Sequence, residues 1–430
     1  MNLRVLIYMN PLVVDKISKK FLWWKDSGFL YTKQLIESLP KTWRFTILVP
    51  KDFDSSFFGS DHIIDCIEYD YSTSIHQNRY HFNRNILAKN LPYGTDIDVV
   101  LNMQPEVAAN LRVFFINQRR EKPIIINYFH WIDCKESRKY AKELGGFINR
   151  QVEGFNAADL NLFHNQYAFE LFVKSANNEN LPHKVSDLSK VNFFHPLPTR
   201  YGMKPIDLPD KKIILFNHRL NNTTGWREVL SIFKSISRDD SVLWFTDEEN
   251  LKVKKELEKE KNIIVKSIPF ESYGYVLSKS HFSVCNLQEY ATWNMAVLDS
   301  MNHGTIVLSN NTPLMKELNT HTTGNLTYSI KEMLDKDKME ILRDMHRFHD
   351  FDLESHLIDI ISDRVDGKSP KKYEDVFDFI SSNSVVEKRE FVNKFWSFHA
   401  NSNFQIIRWK LLCDDVIQDD TTKTLTTYMW

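Results

Sequence analysis

Two arginines follow a short apolar run in the second half of the chain, where their positions suit a negatively charged ligand. Arg219 comes shortly after the run Ile213–Phe216, and Arg227 begins a segment with helical spacing. Cations and the amides of a helix N-terminus stabilise negative charge without proton transfer. The sequence therefore predicts an anion site here, with a pair of ordinary surface arginines as the alternative.

Polar residues also collect behind an apolar run in residues 261–313. This segment contains three short apolar runs separated by helical stretches: Ile263–Val265, Phe282–Cys285 and Thr305–Leu308. Such an alternation predicts βαβ units and a parallel sheet. The polar residues follow the second run and start the next helix, and in an open parallel sheet this carboxyl-end crevice is where ligands bind.

The same segment resembles the nucleotide-sugar half of the retaining GT-B glycosyltransferases. Residues 291–299 take the place of that family's Glu-x7-Glu stretch, and residues 300–307 take the place of its following turn and strand. The resemblance implies that Asp299 binds the ribose of the nucleotide. Ala291 stands where the first Glu is expected. Asn294 occupies the usual Gly position, and the resemblance implies that it also contacts the nucleotide sugar.

The arginine segment carries a second part of the resemblance. Arg219, Leu220 and Gly225 fit the family run Gly-Arg-Leu-x-x-x-Lys-Gly, whose cations bind the diphosphate, and Thr224 replaces its Lys. The resemblance implies a diphosphate site formed by Arg219, Thr224 and Arg227. Residues 223–227 are also similar to a Thr-Thr-x-Trp-Lys run of the α-glucosyltransferases of T-even phages.

A histidine follows an apolar run in the first half of the chain. His130 comes directly after Ile124–Phe129, with Asp133 as its acidic neighbour. Many GT-B enzymes carry a His-containing loop here that faces the donor sugar. The resemblance therefore implies catalytic roles for His130, Asp133 and Arg219, while a structural histidine is the alternative.

Basic and aromatic residues interleave in residues 79–84, and more cations follow. The basic residues concerned are Arg79, Arg84, Arg119 and Arg120. Such a mixture can hold phosphates and stack a displaced base, so we interpret it as acceptor-binding, with a solvated face as the alternative. The resemblance to the phage enzymes implies double-stranded DNA as partner, with a flipped 5-hydroxymethylcytosine receiving glucose or arabinose from a UDP-sugar.

Other readings stay open at this point. The acceptor could be tRNA or a cell-surface polysaccharide. Ala291 and Thr224, which replace a Glu and a Lys of the family pattern, also fit an inactive GT-B fold used as a binding module.

The element order predicts an α/β fold of the GT-B type, with two Rossmann-like doubly wound domains facing a cleft. We expect an acceptor domain over residues 1–200 and a donor domain over residues 207–375. The proline-punctuated stretch from His195 to Pro209 is the expected connector. Helices in residues 376–430 are expected to return to the first domain.

Composition narrows the function classes. The 430 residues contain 55 Lys+Arg and 56 Asp+Glu, so the net charge does not indicate a nucleic-acid or membrane partner. The four cysteines show no CxxC pairing, which is typical of free thiols in a reducing compartment. No apolar run is long enough to span a membrane. We expect a cytoplasmic monomer, in the host cytoplasm if phage-encoded.

No metal or cofactor is expected. Asp96 and Asp98 form an Asp-x-Asp run, but it precedes a strand instead of ending one, so it reads as a loop. His346 and His349 have ligand spacing without a third ligand. The nucleotide sugar is the expected substrate.

Overall fold

The computed structural model describes residues 3–10, 21, 23, 26–38, 41–51, 53–59, 61–72, 74–91, 96–117, 123–135, 146–179, 181, 184–185, 188–193, 199, 201–220, 224–236, 239–286, 290–303, 305–309 and 312–314. The chain divides into two compact units, and the division falls between Leu197 and Pro198. We use "unit 1" for the described residues up to 193 and "unit 2" for those from 199 onward. The domain limits given above stay predictions, and residues 376–430, His346 and His349 lie outside the described residues.

Unit 1 is built on a parallel sheet of seven strands in the order β3-β2-β1-β4-β5-β6-β7. The strands are β1 (Arg4–Tyr8), β2 (Arg44–Pro50), β3 (Ile63–Tyr69), β4 (Val99–Asn102), β5 (Ile124–Phe129), β6 (Leu160–Phe163) and β7 (Val191–Phe193). The helices are α1 (Ser27–Ser38), α2 (Ile75–Tyr80), α3 (Arg84–Asn90), α4 (Ala108–Asn117), α5 (Ile148–Ala157) and α6 (Gln166–Asn178). Short 3-10 turns lie at Ser55–Phe58, Pro105–Val107 and Leu188–Lys190.

A row of asparagines crosses the middle of this sheet. Asn102, Asn127 and Asn161 are aligned in register on neighbouring strands. Asn102 Nδ2 donates to Asn127 Oδ1 at 2.8 Å, and Asn127 Nδ2 donates to Asn161 Oδ1 at 2.9 Å. Asn127 and Asn161 also donate to carbonyls of α5. Because all three side chains are buried, each lost partner would leave a polar group unsatisfied, so the row helps to fix strand register.

Unit 2 contains a five-stranded parallel sheet in the order β10-β9-β8-β11-β12. The strands are β8 (Lys212–Phe216), β9 (Ser241–Phe245), β10 (Ile263–Val265), β11 (Phe282–Cys285) and β12 (Ile306–Ser309). The helices are α7 (Trp226–Ile236), α8 (Leu251–Leu257), α9 (Phe270–Lys279) and α10 (Met295–Asn302).

Alternate strand residues of unit 2 supply two separate hydrophobic clusters. On β8, Ile214 and Phe216 belong to one cluster, while Ile213 and Leu215 belong to the other. A strand turns successive side chains to opposite faces, so β8 has a core on each side. Burial on both faces explains why the sequence of such a strand is a continuous apolar run. The two-sided core of the parallel sheet confirms the predicted α/β fold.

Both sheets reverse their strand order once, between β1 and β4 in unit 1 and between β8 and β11 in unit 2. Ligands of open parallel sheets bind at the carboxyl ends of the strands beside such a reversal. The residues that follow these strands are therefore the candidates for a ligand site.

Within the described ranges, no helix is both long and apolar enough to cross a bilayer.

Candidate functional site

The walls of the crevice in unit 2 are joined by one buried amide. Asn217, directly after β8, donates through Nδ2 to the carbonyl of Ala296 at 3.3 Å and to Ser300 Oγ at 3.0 Å. Its Oδ1 accepts from Ser283 Oγ of β11 at 2.8 Å. Asn217 thus ties β8, β11 and α10 together where the strand order reverses. No role was assigned to Asn217 from the sequence. Its position as an amide directly after a predicted strand could have indicated one.

A glycine brings the start of α7 against the end of β11. Gly225 has φ +61°, and a Cβ atom there would lie 2.1 Å from Asn286 Nδ2. A side chain is therefore excluded by both the backbone conformation and the contact. Gly225 also accepts from the amide of Val229 at 3.2 Å, in the first turn of α7. The first amides of α7 consequently lie beside the carboxyl end of β11.

Both predicted cations of this segment are exposed at the same edge. The loop carrying Arg219 is held by Thr224 Oγ1, which donates to the Arg219 carbonyl at 2.6 Å, and by the Leu220 amide, which donates to Asp247 Oδ2 at 2.7 Å. Arg227 is also exposed, and its guanidinium lies 4.2 Å from the ring centroid of Trp226. Arg219, Thr224 and Arg227 are therefore brought together by one short loop and the start of α7.

The start of α10 forms the second helix terminus of the crevice. Asn294 Oδ1 accepts from the amide of Val297 at 3.1 Å, and Asn294 Nδ2 points to Cys285 Sγ at 3.5 Å. This is the bonding of a helix N-cap. Asn294, which was predicted to contact the nucleotide sugar, thus fixes the start of α10 at the end of β11.

Asp299 is placed differently from the prediction. Its side chain is 3% exposed. Oδ1 accepts from the Thr199 amide at 2.6 Å, and Oδ2 accepts from the Tyr201 hydroxyl at 3.0 Å. Burial raises the pKa of Asp299 to about 7, although both hydrogen bonds act in the opposite direction. The carboxylate holds Thr199 and Tyr201 against α10, so the ribose role stays a prediction that this placement does not favour.

A second histidine lies next to this crevice. His218 follows Asn217, and its ring centroid is 5.2 Å from that of Phe216. Its Nε2 is buried without a hydrogen-bond partner among the described residues, and burial lowers its pKa to about 4. His218 is therefore neutral at physiological pH. No role was assigned to His218 from the sequence, because this histidine forms no spaced motif with other residues.

In unit 1, His130 follows β5 at the carboxyl edge, as predicted. Both ring nitrogens are buried, and neither has a hydrogen-bond partner in the part of the chain that the structure describes. Burial, together with the smaller effect of the positive charge on Arg79, lowers the pKa of His130 to about 3. The ring stays neutral at physiological pH, with one nitrogen as donor and the other as acceptor.

Arg79 corrects the predicted acceptor surface. It lies in the last turn of α2 with only 5% of its surface exposed. Its Nη1 lies 3.3 Å from Glu106 Oε1, and its Cζ lies 4.3 Å from the ring centroid of Trp131. A guanidinium buried in this way cannot reach a DNA phosphate. Of the other predicted acceptor residues, Arg84 is exposed at the start of α3, while Arg119 and Arg120 lie outside the described residues.

Asp133 is a second correction, because its carboxylate is fully buried. Oδ2 accepts from the amide of Ile148 at 2.9 Å, which satisfies the first turn of α5. This is a capping role, and it leaves Asp133 away from solvent instead of beside a reacting group. Its main-chain amide donates to Gln151 Oε1 at 3.1 Å.

The acidic pair before β4 lies in a loop, as expected. Asp98 Oδ2 accepts from the Arg4 amide at 2.7 Å, and Asp96 lies 3.8 Å from the Arg4 guanidinium. Among the residues that the structure describes, no group of three or more His, Cys, Asp or Glu side chains could hold a metal ion.

Solved structures with the same fold include nucleotide-sugar proteins. Alr3699/HepE from Anabaena, solved in complex with UDP-glucose, is 10% identical, with 80% of this chain and 91% of that chain covered and a TM-score of 0.52. The trehalose-6-phosphate synthase OtsA is 10% identical, with 98% of this chain and 100% of that chain covered and a TM-score of 0.54. At these identities the likeness shows the fold alone, and it confirms the GT-B type predicted from the sequence. No protein-family model and no curated protein sequence matches this chain.

Proposed function

We propose that this protein is a glycosyltransferase that uses a nucleotide sugar, with the donor diphosphate bound at the carboxyl edge of unit 2. The observation that carries the proposal is the meeting of the α7 and α10 N-termini at the ends of β8 and β11, with Arg219 and Arg227 exposed beside them. Helix N-termini and arginines both favour phosphate oxygens. This placement suits a leaving diphosphate, on which negative charge develops.

The fold comparison supports the choice of donor. HepE, which shares the fold, was solved in complex with UDP-glucose. A second HepE structure, with a TM-score of 0.52, was solved in complex with UDP and glucose. We therefore propose a UDP-sugar donor carrying glucose or arabinose. A binding module without turnover is the second candidate, since Ala291 and Thr224 lack the Glu and Lys of the family pattern.

His130 is proposed to contact a hydroxyl of the transferred sugar. A neutral imidazole offers one donor and one acceptor, which a hydroxyl can satisfy at the same time. A phosphate would need a cation instead, and His130 stays neutral because its pKa is lowered to about 3. Because both nitrogens are buried in this conformation, the sugar must displace the side chains that cover them.

The acceptor is proposed to be 5-hydroxymethylcytosine in double-stranded DNA. The support is the run of residues 223–227 together with the exposed Arg84 of unit 1. The target base would have to leave the stack to present its hydroxymethyl oxygen. The loss of Arg79 from this surface leaves Arg84, Arg119 and Arg120 as the proposed phosphate contacts.

The test combines donors and acceptors in one experiment. The protein is incubated with UDP-glucose, UDP-arabinose or GDP-mannose, first alone and then with duplex DNA containing hydroxymethylcytosine or cytosine, with tRNA, or with polysaccharide. Mass spectrometry then follows UDP release and acceptor mass. We expect a mass gain of one sugar on hydroxymethylated DNA only. Gain on tRNA or polysaccharide would replace the acceptor, and donor binding without any turnover would favour the binding module.

A further inference from the structure

A buried side-chain amide of α5 binds the loop that carries His130. Gln151 is fully buried, and its Nε2 donates to the Trp131 carbonyl and to Glu106 Oε1, both at 3.1 Å. Its Oε1 accepts from the Asp133 amide at 3.1 Å. Gln151 thus binds the main chain on either side of residue 132, immediately after His130. We call residues 130–133 the histidine loop.

The same amide connects this loop to the buried ion pair. Glu106 Oε1 receives both Gln151 Nε2 and Arg79 Nη1, and the Arg79 guanidinium lies over the Trp131 ring. Trp131 is therefore fixed through its carbonyl by Gln151 and through its ring by Arg79. Glu106, in the 3-10 turn Pro105–Val107, links both contacts to the end of β4.

The imidazole of His130 has no comparable anchor of its own. Neither of its ring nitrogens has a hydrogen-bond partner among the described residues, and its nearest recorded ring contact is Tyr128, with centroids 6.4 Å apart. Its direction must therefore come from the backbone on either side. β5 fixes the preceding residue through the register of Phe129 with Phe163, and Gln151 fixes the following ones.

We propose that Gln151 is a positioning residue for His130, and that it acts through the main chain of Trp131 and Asp133. This inference rests on the proposed function, because His130 must contact the substrate for its direction to matter. Reacting groups that shift by about 1 Å can lose about 100-fold in rate, so a loosened loop should lower turnover. The donor diphosphate site in unit 2 should not respond.

The first test measures the clamp without any substrate. Gln151→Met keeps the side-chain volume and removes all three hydrogen bonds. Asn161→Leu is the matched control, because Asn161 is equally buried and donates to the Phe155 carbonyl of the same helix without touching the histidine loop. Hydrogen exchange is followed at the amide of Asp133. We expect it to lose most of its protection in Gln151→Met and to keep it in Asn161→Leu.

Equal protection of the Asp133 amide in both variants would overturn the clamp. If Gln151→Met does not fold, Gln151→Asn replaces it, since the shorter amide keeps the same polar groups and cannot reach the Trp131 carbonyl and the Asp133 amide together. In that variant the Asp133 amide should again lose protection. This measurement decides the clamp even if no nucleotide sugar is turned over, an outcome that would refute the proposed function separately.

The second test asks whether Gln151 acts through His130. UDP release from UDP-glucose is measured for the wild type, Gln151→Met, His130→Ala and the double variant. We expect Gln151→Met to lower kcat by about 10- to 100-fold with the donor KM unchanged. In the His130→Ala background the same change should have almost no further effect, because residues acting as one unit are not additive. Full additivity, or a rise in KM alone, would contradict the positioning role.

Discussion

The carboxyl edges of the two sheets use arginine in opposite ways. In unit 1, Arg79 is buried, paired with Glu106 and covered by Trp131. In unit 2, Arg219 is exposed, and its carbonyl and the Leu220 amide are the described groups that hold the loop. The first arrangement fixes the surrounding loops, and the second leaves a cation available for a ligand. A charged residue near a predicted site is thus informative only once its burial is known.

The carboxylates show the same division between structure and ligand. Asp133 caps α5 in unit 1, and Asp299 holds Thr199 and Tyr201 in unit 2. Both were predicted as site residues, and both are buried with donors on their oxygens. At the unit 2 edge, Arg219 and Arg227 remain exposed beside the first turns of α7 and α10. That edge is therefore suited to an anion, whereas unit 1 offers the neutral ring of His130.

The largest effect is expected for the buried arginine. Arg79→Met should lower the free energy of unfolding by about 3–5 kcal/mol, because Glu106 is left buried without its partner. The double variant Arg79→Met/Glu106→Met should recover most of this loss, since the unpaired charge is gone. Urea unfolding measures both. A loss of less than about 1 kcal/mol in the single variant would show that the pair is solvated, and the contrast with Arg219 would fail.

Arg219 should behave in the opposite way. We expect Arg219→Ala to leave the unfolding free energy within about 0.5 kcal/mol and to lower turnover of UDP-glucose at least about 100-fold. In the proposed site, the guanidinium contacts solvent in the free protein and the diphosphate in the transition state. Lys259→Ala is the control, because Lys259 is also exposed but follows α8, away from the carboxyl edge. Near-normal turnover in folded Arg219→Ala would remove Arg219 from the site.

Asp299→Asn separates the ribose role from the structural one. The pKa of Asp299 is raised from 3.8 to about 7 by burial, so the folded state holds its proton more tightly than the unfolded state. Stability should therefore fall as pH rises from about 4 to about 7 and stay level above that range. The variant, which carries no buried charge at this position, should be more stable than the wild type at pH 8 by up to about 4 kcal/mol, and the difference should vanish near pH 4.

Calorimetry with UDP-glucose then decides between the two roles of Asp299. A structural carboxylate predicts unchanged donor affinity in Asp299→Asn. A ribose ligand predicts weaker binding, since the amide loses one acceptor. Weaker binding without the change in pH dependence would restore the ribose assignment.

Sequence patterns predicted the strands better than the surroundings of single side chains. β10 and β11 begin and end where the runs Ile263–Val265 and Phe282–Cys285 do, because parallel strands buried on both faces are rich in apolar residues. The helices α2 and α3 were missed, since they are 6 and 7 residues long and too short to show a helical period. Without α2, the segment holding Arg79 looked like an exposed basic stripe.

Burial of polar residues depends on partners that are distant in the chain. Arg79 and Glu106 are 27 residues apart, and Thr199 and Asp299 are 100 residues apart. Local sequence spacing does not reveal such a pair. The sequence therefore predicts that these residues lie near a sheet edge, but it does not predict whether their side chains are buried or exposed. Arg219 was easier, because the strand before it and the glycine after it set the loop locally.

The smallest effect is expected for Arg84, the exposed counterpart of Arg79 in unit 1. Arg84 is the first residue of α3, where a cation opposes the helix dipole. Arg84→Glu should therefore raise the unfolding free energy by about 0.3–0.5 kcal/mol, as measured by urea unfolding at low salt. If hydroxymethylated DNA is the acceptor, the same change should weaken DNA binding and make the affinity less dependent on salt, because one phosphate contact is lost. Stability and binding would then move in opposite directions, which a purely structural role cannot produce. Unchanged DNA affinity with a stabilised fold would leave Arg84 as an ordinary surface arginine, and the proposed DNA contacts would depend on Arg119 and Arg120 alone.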